Sequence, residues 1–450
     1  MKTFRLLMVA LLFVSTASAQ RATNKRAHEN YAPTVTMISV NETEVVDTCC
    51  CPIMAALAQN RLATAAALDD YRITHRPGFS QSEKPQYIFT NKSNRFSFAI
   101  GGYINLRAAY DMNGIVDNID FVPSAIPMQS NYATQEQLMM DATTSRFYLK
   151  AITHSRTLGR VVIYVETDFR GGNRGSYTPR LRMAYVSFKG FTFGRDVTTF
   201  CDLAAGPNTI DFQGPNGYNF NFATMIRYEV AFANNHMKFG VAAEMPSVSG
   251  TYGDAMASIP QRMPDFPLYM QVAWGANRSS HLRASAVFRN MYVRNLDKNY
   301  TFSKFGWGVQ GSGFIKICRA LDLYFNGVYG EGITPYIQDL SGLGLDFTPV
   351  PGYPTHLQTM PMYSAQAALQ INLSKRVFVS GGYSMVTVCK KNGAYADDEY
   401  KEGQYMFGNI FYQLTPRCKI AAEYLYGTRK NMDNVKNHAN RVNLMVQYNF

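Results

Sequence analysis

Apolar and polar residues alternate through the last ten positions of the chain. Val442, Leu444, Val446, Tyr448 and Phe450 fall on one face, and Arg441, Asn443, Gln447 and Asn449 on the other, because successive side chains of a strand point to opposite sides. Only Met445 breaks the pattern. The same rhythm starts at Arg95, where Phe96, Phe98, Ile100, Ile104 and Leu106 oppose Arg95, Ser97, Asn105 and Arg107. It recurs near 145–154, 159–170, 179–189, 191–198, 223–233, 236–246, 268–275 and 280–290. Further segments follow at 303–316, 321–331, 361–373, 375–386, 403–414, 416–428 and 440–450. The pattern predicts about sixteen strands. The connections read as alternating short and long in strict order. Lys189-Gly190, Ala233 to Asn235 and Leu414 to Pro416 are short; Met112 to Thr144, Thr199 to Phe222, Pro246 to Pro267 and Gly332 to Met360 are long.

That rhythm predicts an all-β fold, a transmembrane antiparallel β-barrel. Outer-membrane barrels have an even strand number, short periplasmic turns, longer external loops and both termini on the periplasmic side. The strand ending at Phe450 is then the closing strand, paired with the one that begins at Arg95. No stretch beyond residue 20 holds the roughly 18 apolar residues of a membrane helix. Sixteen strands enclose an aqueous lumen. The apolar faces must point to lipid, since a charge there near the midplane costs about 2–4 kcal/mol. On that reading Val161, Ile163, Val165, Leu181, Met183 and Tyr185 face lipid. Arg107, Arg146, Lys150, Arg160, Arg180 and Arg182 face the lumen, with Arg283 and Arg289 from a later strand and the acids Glu166 and Asp168. The inward bases outnumber these inward acids, and rings of Arg and Lys favour anions in a pore.

Residues ahead of the alternation read differently. Lys2 and Arg5, the apolar run Leu6 to Val14 and the small residues Ala17-Ser18-Ala19 have the form of a secretory signal peptide at 1–19, which implies export. Residues 20–94 read as a periplasmic extension with a short Ala-rich helix, Ile53 to Tyr71, broken by Pro77-Gly78. The barrel domain is then 95–450.

Composition fits the same class. Aromatics make up 13% of the chain and charged residues 17%, with 29 Tyr and 29 Phe against 2 Trp, as expected where aromatics girdle the membrane interfaces. The net charge of +12 is scattered singly along the strands, which argues against nucleic acid as a partner. The seven cysteines include the run Cys49-Cys50-Cys51, which lacks metal-site spacing; an odd count leaves an unpaired or intermolecular thiol. The sequence holds no Gly-x-Ser-x-Gly, no His-Glu-x-x-His and no P-loop, so no enzyme, metal or cofactor is expected.

Several short motifs, in order, resemble DcaP-like outer-membrane porins. They are Gly101-Gly102-Tyr103-Ile104-Asn105; Asp117 to Pro123 with Ile126-Pro127; Ser145-Arg146-Phe147; Tyr164 to Phe169; Pro179 to Tyr185; Phe193-Gly194-Arg195; and Ile210 to Gly217. The resemblance is best over residues 95–220. It implies a sixteen-stranded barrel, a homotrimer, a helical periplasmic extension, and uptake of small, often anionic solutes. In porins the third long connection folds into the lumen. Here that is 200–222, which brings in Asp202 and Asp211, expected to face the basic wall across a constriction; the other placement is an external cap.

The function expected is a diffusion porin of the outer membrane passing small hydrophilic solutes, with a preference for carboxylate-type anions. The alternative is a structural or adhesion barrel that works through its external loops. A plugged transporter is disfavoured, because such barrels have nearer twenty-two strands.

Overall fold

The computed structural model describes residues 36–39, 69–71, 73–74, 87–90 and 96–450, the last span without 115–118, 130–131, 133–134, 174 and 395. The signal peptide, most of the expected helix and Cys49-Cys50-Cys51 lie outside the described residues.

Sixteen strands form a closed antiparallel barrel. They are β1 (Phe96–Met112), β2 (Arg146–Ser155), β3 (Gly159–Asp168), β4 (Arg180–Phe188), β5 (Phe191–Val197), β6 (Phe222–Phe232), β7 (Met237–Glu244) and β8 (Phe266–Trp274). The second half comprises β9 (Ser280–Asn295), β10 (Tyr300–Lys316), β11 (Leu321–Glu331), β12 (Pro361–Asn372), β13 (Val377–Val388), β14 (Tyr400–Gln413), β15 (Cys418–Asn431) and β16 (Lys436–Asn449). Each pairs with its sequence neighbour, and β16 returns to β1 with Asn449 opposite Tyr103 and Asn440 opposite Met112. Phe450 adds the last rung: its N–H and C=O bond Gly102 at 3.0 and 3.1 Å, and its ring packs on Phe147 at 5.4 Å between centroids. A side chain at position 102 would meet the Arg146 carbonyl, so only glycine fits at this joint.

Outward positions carry large exposed apolar side chains, among them Ile100, Leu106, Leu149, Ile163, Leu282, Leu369, Ile410 and Leu444. So broad a belt suits lipid, not water. Periplasmic turns are tight; Lys189 and Gly190 both have positive φ, 48° and 85°, as a two-residue hairpin requires.

The strict alternation of loop lengths needs correction. On the external side, β9–β10 and β15–β16 are joined by only four residues each, 296–299 and 432–435. These strands run past the membrane, where neither face need be apolar, and the two-residue period fades before the strand ends. The assignment of Met183 and Tyr185 to lipid is also corrected. A β-bulge shifts the β3–β4 register between Glu166/Met183 and Thr167/Leu181. The extra residue keeps Arg182 inside and turns Met183 and Tyr185 inward below it. Both are buried in a cluster with Tyr148, Tyr164 and Tyr218.

The lumen is not uniformly polar. The external connections 113–145, 198–221 and 332–360 send apolar side chains into it. Phe200, Ile333, Tyr336, Ile337 and Leu340 pack on Val328, Met362, Val386 and Val388 of the wall. Phe121 and Ile126 pack on Tyr405, Phe407 and Leu425.

Candidate functional site

The connection 198–221 between β5 and β6 crosses the interior and is tied to the far wall. The Ile210 and Asp211 N–H groups donate to Glu423 of β15 at 2.9 and 2.8 Å. Asn409 of β14 donates to the Asn208 carbonyl at 2.9 Å. Gly217 lies against the inward face of β12 and β13: its N–H donates to Ser384 Oγ at 2.8 Å, and its carbonyl accepts from Ser364 Oγ at 2.9 Å. A Cβ there would sit 2.6 Å from the Met385 carbonyl oxygen. At the near end, Glu244 accepts from Thr198 Oγ1 and Thr199 N, each at 2.6 Å.

Asp202 and Asp211 take part in this stitching. Asp202 caps a short turn at Ala204 N and meets His281 Nε2 at 2.9 Å and Ser312 Oγ at 2.8 Å. Burial alone would raise its carboxyl; the hydrogen bond and charge of His281 hold it below the usual range. Asp211 accepts from Phe121 N and Tyr405 Oη at 3.1 and 3.0 Å. Burial, reinforced by the charges of Asp120 and Glu423, pushes it up to about 7.

Above the inner loop lies an arginine network on β1–β4. Arg182 meets Glu166 at 2.8 Å and Asp168 at 3.0 Å. Arg180 meets Asp168 at 2.6 Å, and Arg146 meets Glu166 at 3.6 Å. Arg170 grips Asp120 with two hydrogen bonds, 2.8 and 2.5 Å, and Arg107 reaches Asp141 at 3.1 Å and Asp120 at 3.6 Å. Phe212, from the inner loop, inserts among them. The guanidinium carbons of Arg170, Arg182, Arg146 and Arg107 lie 4.9, 5.2, 5.3 and 5.8 Å from its ring centre, within cation–π range. Arg146, Arg170, Arg180, Arg182 and Phe212 line a cavity of about 280 Å³. Arg180 is the most open of the ion-paired arginines there, 36% exposed.

Below the loop, toward the periplasmic turns, is a cavity of about 460 Å³ lined by Thr199, Arg227, Lys238, Tyr269, Gln271, Arg278 and Arg283. Arg227 pairs with Asp196, and Lys238 with Glu229 at 2.8 Å. Arg283 stacks on Tyr269 at 3.6 Å and donates to Ser285 Oγ and the Thr199 carbonyl. Among the described residues it has no carboxylate at ion-pair distance. Arg278 donates to the Asn234 carbonyl at 3.1 Å.

The residues singled out from the sequence thus divide. Arg107, Arg146, Arg180 and Arg182 gather with Glu166 and Asp168 in the upper network, and Arg283 sits in the lower cavity. Arg289 is buried elsewhere, bonded to Asp265 at 3.0 Å and Asp346 at 3.1 Å, where it clamps two external connections. Lys150 and Arg160 contact the segment at 69–74. The excess of inward bases shrinks once Asp111, Asp120, Asp141, Asp265, Asp346 and Glu423 are counted inside. Several of these come from loops that have no period to reveal them. Phe212 was missed too; it stands in a Gly/Pro-rich loop without a hydrophobic repeat. Among the described residues, no group of three His, Cys, Asp or Glu is placed to hold a metal ion, and Cys201, Cys318, Cys389 and Cys418 are free.

Residues 78–266 match the family model of the DcaP outer membrane protein, which contains the 95–220 stretch where the resemblance was read. No curated protein sequence matches. Among solved structures, the DcaP channel of Acinetobacter baumannii is 19% identical with a TM-score of 0.69, over 79% of this chain and 97% of that one. OmpT of Vibrio cholerae is 12% identical with a TM-score of 0.50, over 79% and 98%. The anion-selective porin of Comamonas acidovorans is 12% identical with a TM-score of 0.50, over 79% and 100%. The chain is an outer-membrane β-barrel with the fold of these channels.

Proposed function

We propose that this DcaP-like outer-membrane barrel is a diffusion porin for small hydrophilic solutes, with a preference for carboxylate-type anions. One observation carries the preference: in the two cavities flanking the inner loop, the most open charges are cationic, Arg180 above and Arg283 and Lys238 below. Arg180 is about one-third open above the loop although paired, and Arg283 below it has no carboxylate partner among the described residues. A guanidinium with free N–H groups can take a carboxylate bidentately. The test is reversal potential in planar bilayers under a KCl gradient, with liposome swelling by neutral, anionic and cationic solutes. Cation selectivity would refute the preference, and absence of channels the porin reading.

A homotrimer is part of the proposal. β4, β5, β7 and β8 have only nine, seven, eight and nine residues, at or below the roughly 9–11 that a tilted strand needs to span the bilayer. A low wall of this kind is best covered by another copy. Native mass spectrometry from detergent tests it; a monomer alone would refute it. The adhesion alternative gains no support, because much of 332–360 is spent inside the barrel.

A further inference from the structure

The turn at 69–71 and 73–74 is docked against the inward face of β1–β3 near their periplasmic ends. Thr74 N bonds the Asp70 carbonyl at 3.0 Å, closing one helical turn. Tyr71 is only 4% exposed and packs on Ala99, Ile152 and Val162, all inward positions of the wall. Its hydroxyl donates to the Lys150 carbonyl at 2.7 Å. Lys150 Nζ in turn donates to the Thr74 carbonyl at 3.0 Å and lies 5.3 Å over the Tyr71 ring. Asp70 meets His154 Nε2 at 2.7 Å and Arg160 at 3.5 Å. A turn held by an aromatic anchor, two backbone-carbonyl bonds, an ion pair to Arg160 and a hydrogen bond to His154 is built into this position.

We propose that the turn at 69–71 and 73–74 forms a strut in the periplasmic exit that narrows the lumen, withdraws Lys150 from the conduction path and neutralises Arg160. Asp70 sets the charge of the exit, offsetting Arg160, while Tyr71 sets its width. The inference rests on the channel reading but not on the anion preference.

The test uses the full chain in planar bilayers. Three variants are compared with the parent: Asp70→Asn, Tyr71→Ala, and replacement of residues 69–74 by a Gly/Ser linker of equal length. Folding is checked by heat-modifiable electrophoretic mobility; the linker variant, which leaves every barrel strand intact, covers the case in which a point variant misfolds. Single-channel conductance should rise in the linker and Tyr71→Ala variants. Asp70→Asn and the linker should shift the reversal potential toward the anion limit. Folded variants with unchanged conductance overturn the strut, and so does a change confined to unfolding midpoint. An unchanged reversal potential in Asp70→Asn and the linker overturns the charge role of Asp70. A cation-selective parent defeats the anion preference alone, because the rise in conductance is read independently.

Discussion

Arg441 lies on the polar face of the closing strand, which the alternation alone reads as pore lining. The structure reverses that. Its guanidinium and the Asp111 carboxylate are both 0% exposed and bonded at 2.6 and 3.0 Å. The same guanidinium donates to the Ile119 carbonyl of the first external connection at 2.8 Å and lies over Phe121 at 5.5 Å. Arg441→Met therefore leaves Asp111 buried without its cation, at a cost of about 3–5 kcal/mol. Removing both charges, with Arg441→Met and Asp111→Leu together, recovers most of that loss, since an apolar pair of similar volume is often neutral in such a place. The assay is urea unfolding in lipid vesicles followed by the emission of the two tryptophans, with both single variants and the double. If Arg441→Met costs under about 1 kcal/mol, the value for a hydrated pair, Asp111 is reached by water and the lumen is open at this level.

Deleting Phe450 removes two backbone hydrogen bonds, each about 0.5–1.5 kcal/mol, and an aromatic contact of about 0.5–1.5 kcal/mol. Refolding yield into vesicles should fall, and an unchanged yield would count against the seam. Arg180→Gln and Arg283→Gln should each move the reversal potential toward the cation side at unchanged unfolding midpoint; Asp168 keeps Arg182, and Arg283 leaves no acid unpaired. The Asp211 carboxyl titrates near 7 when folded but near 3.9 when unfolded, so the folded state binds the extra proton. Its contribution to stability is full below about pH 4 and is lost as pH rises toward 7. Asp211→Asn should flatten that part of the stability–pH curve, and a parallel curve would refute the assignment.

The barrel was legible because a period of two is imposed on every membrane-spanning strand by lipid on one side. Ile163 and Leu444 could be placed without any knowledge of their neighbours. Where lipid stops, so does the signal: the upper ends of β15 and β16 are polar on both faces, while on β9 and β10 the inward face turns apolar as Met291, Val293 and Phe302 pack under the external connections. A single bulge was enough to invert Met183 and Tyr185, since nothing in Arg182-Met183 marks an inserted residue. The lumen was read half correctly. Arg146 and Arg182 do point inward, but their partners, and those of Arg107, Arg289 and Arg441, depend on where loops land. Asp120, Asp265 and Asp346 arrive by chain paths that local sequence does not encode.

Those loop landings explain why the lumen holds so many buried acids. A backbone that enters a barrel leaves water behind, and its N–H groups need acceptors. Glu423 takes Ile210 N and Asp211 N, Glu244 takes Thr199 N, and Asp346 takes Ser249 N and Thr334 N. Asp339 takes Ser124 N, and Asp211 takes Phe121 N. Each carboxyl group fixes a loop, and each that stays ionised brings a buried negative charge that something must offset. Arg289 does so for Asp346; Glu423 instead collects amide donors from Asn409 and Asn443. Much of the inward charge is thereby committed to holding the loops. Conduction is left to the few cations outside this accounting, Arg180 and Arg283 first among them. A formal charge count over the lumen therefore overstates the anion field, and substitutions at the clamped arginines should register as lost stability before they register as altered selectivity.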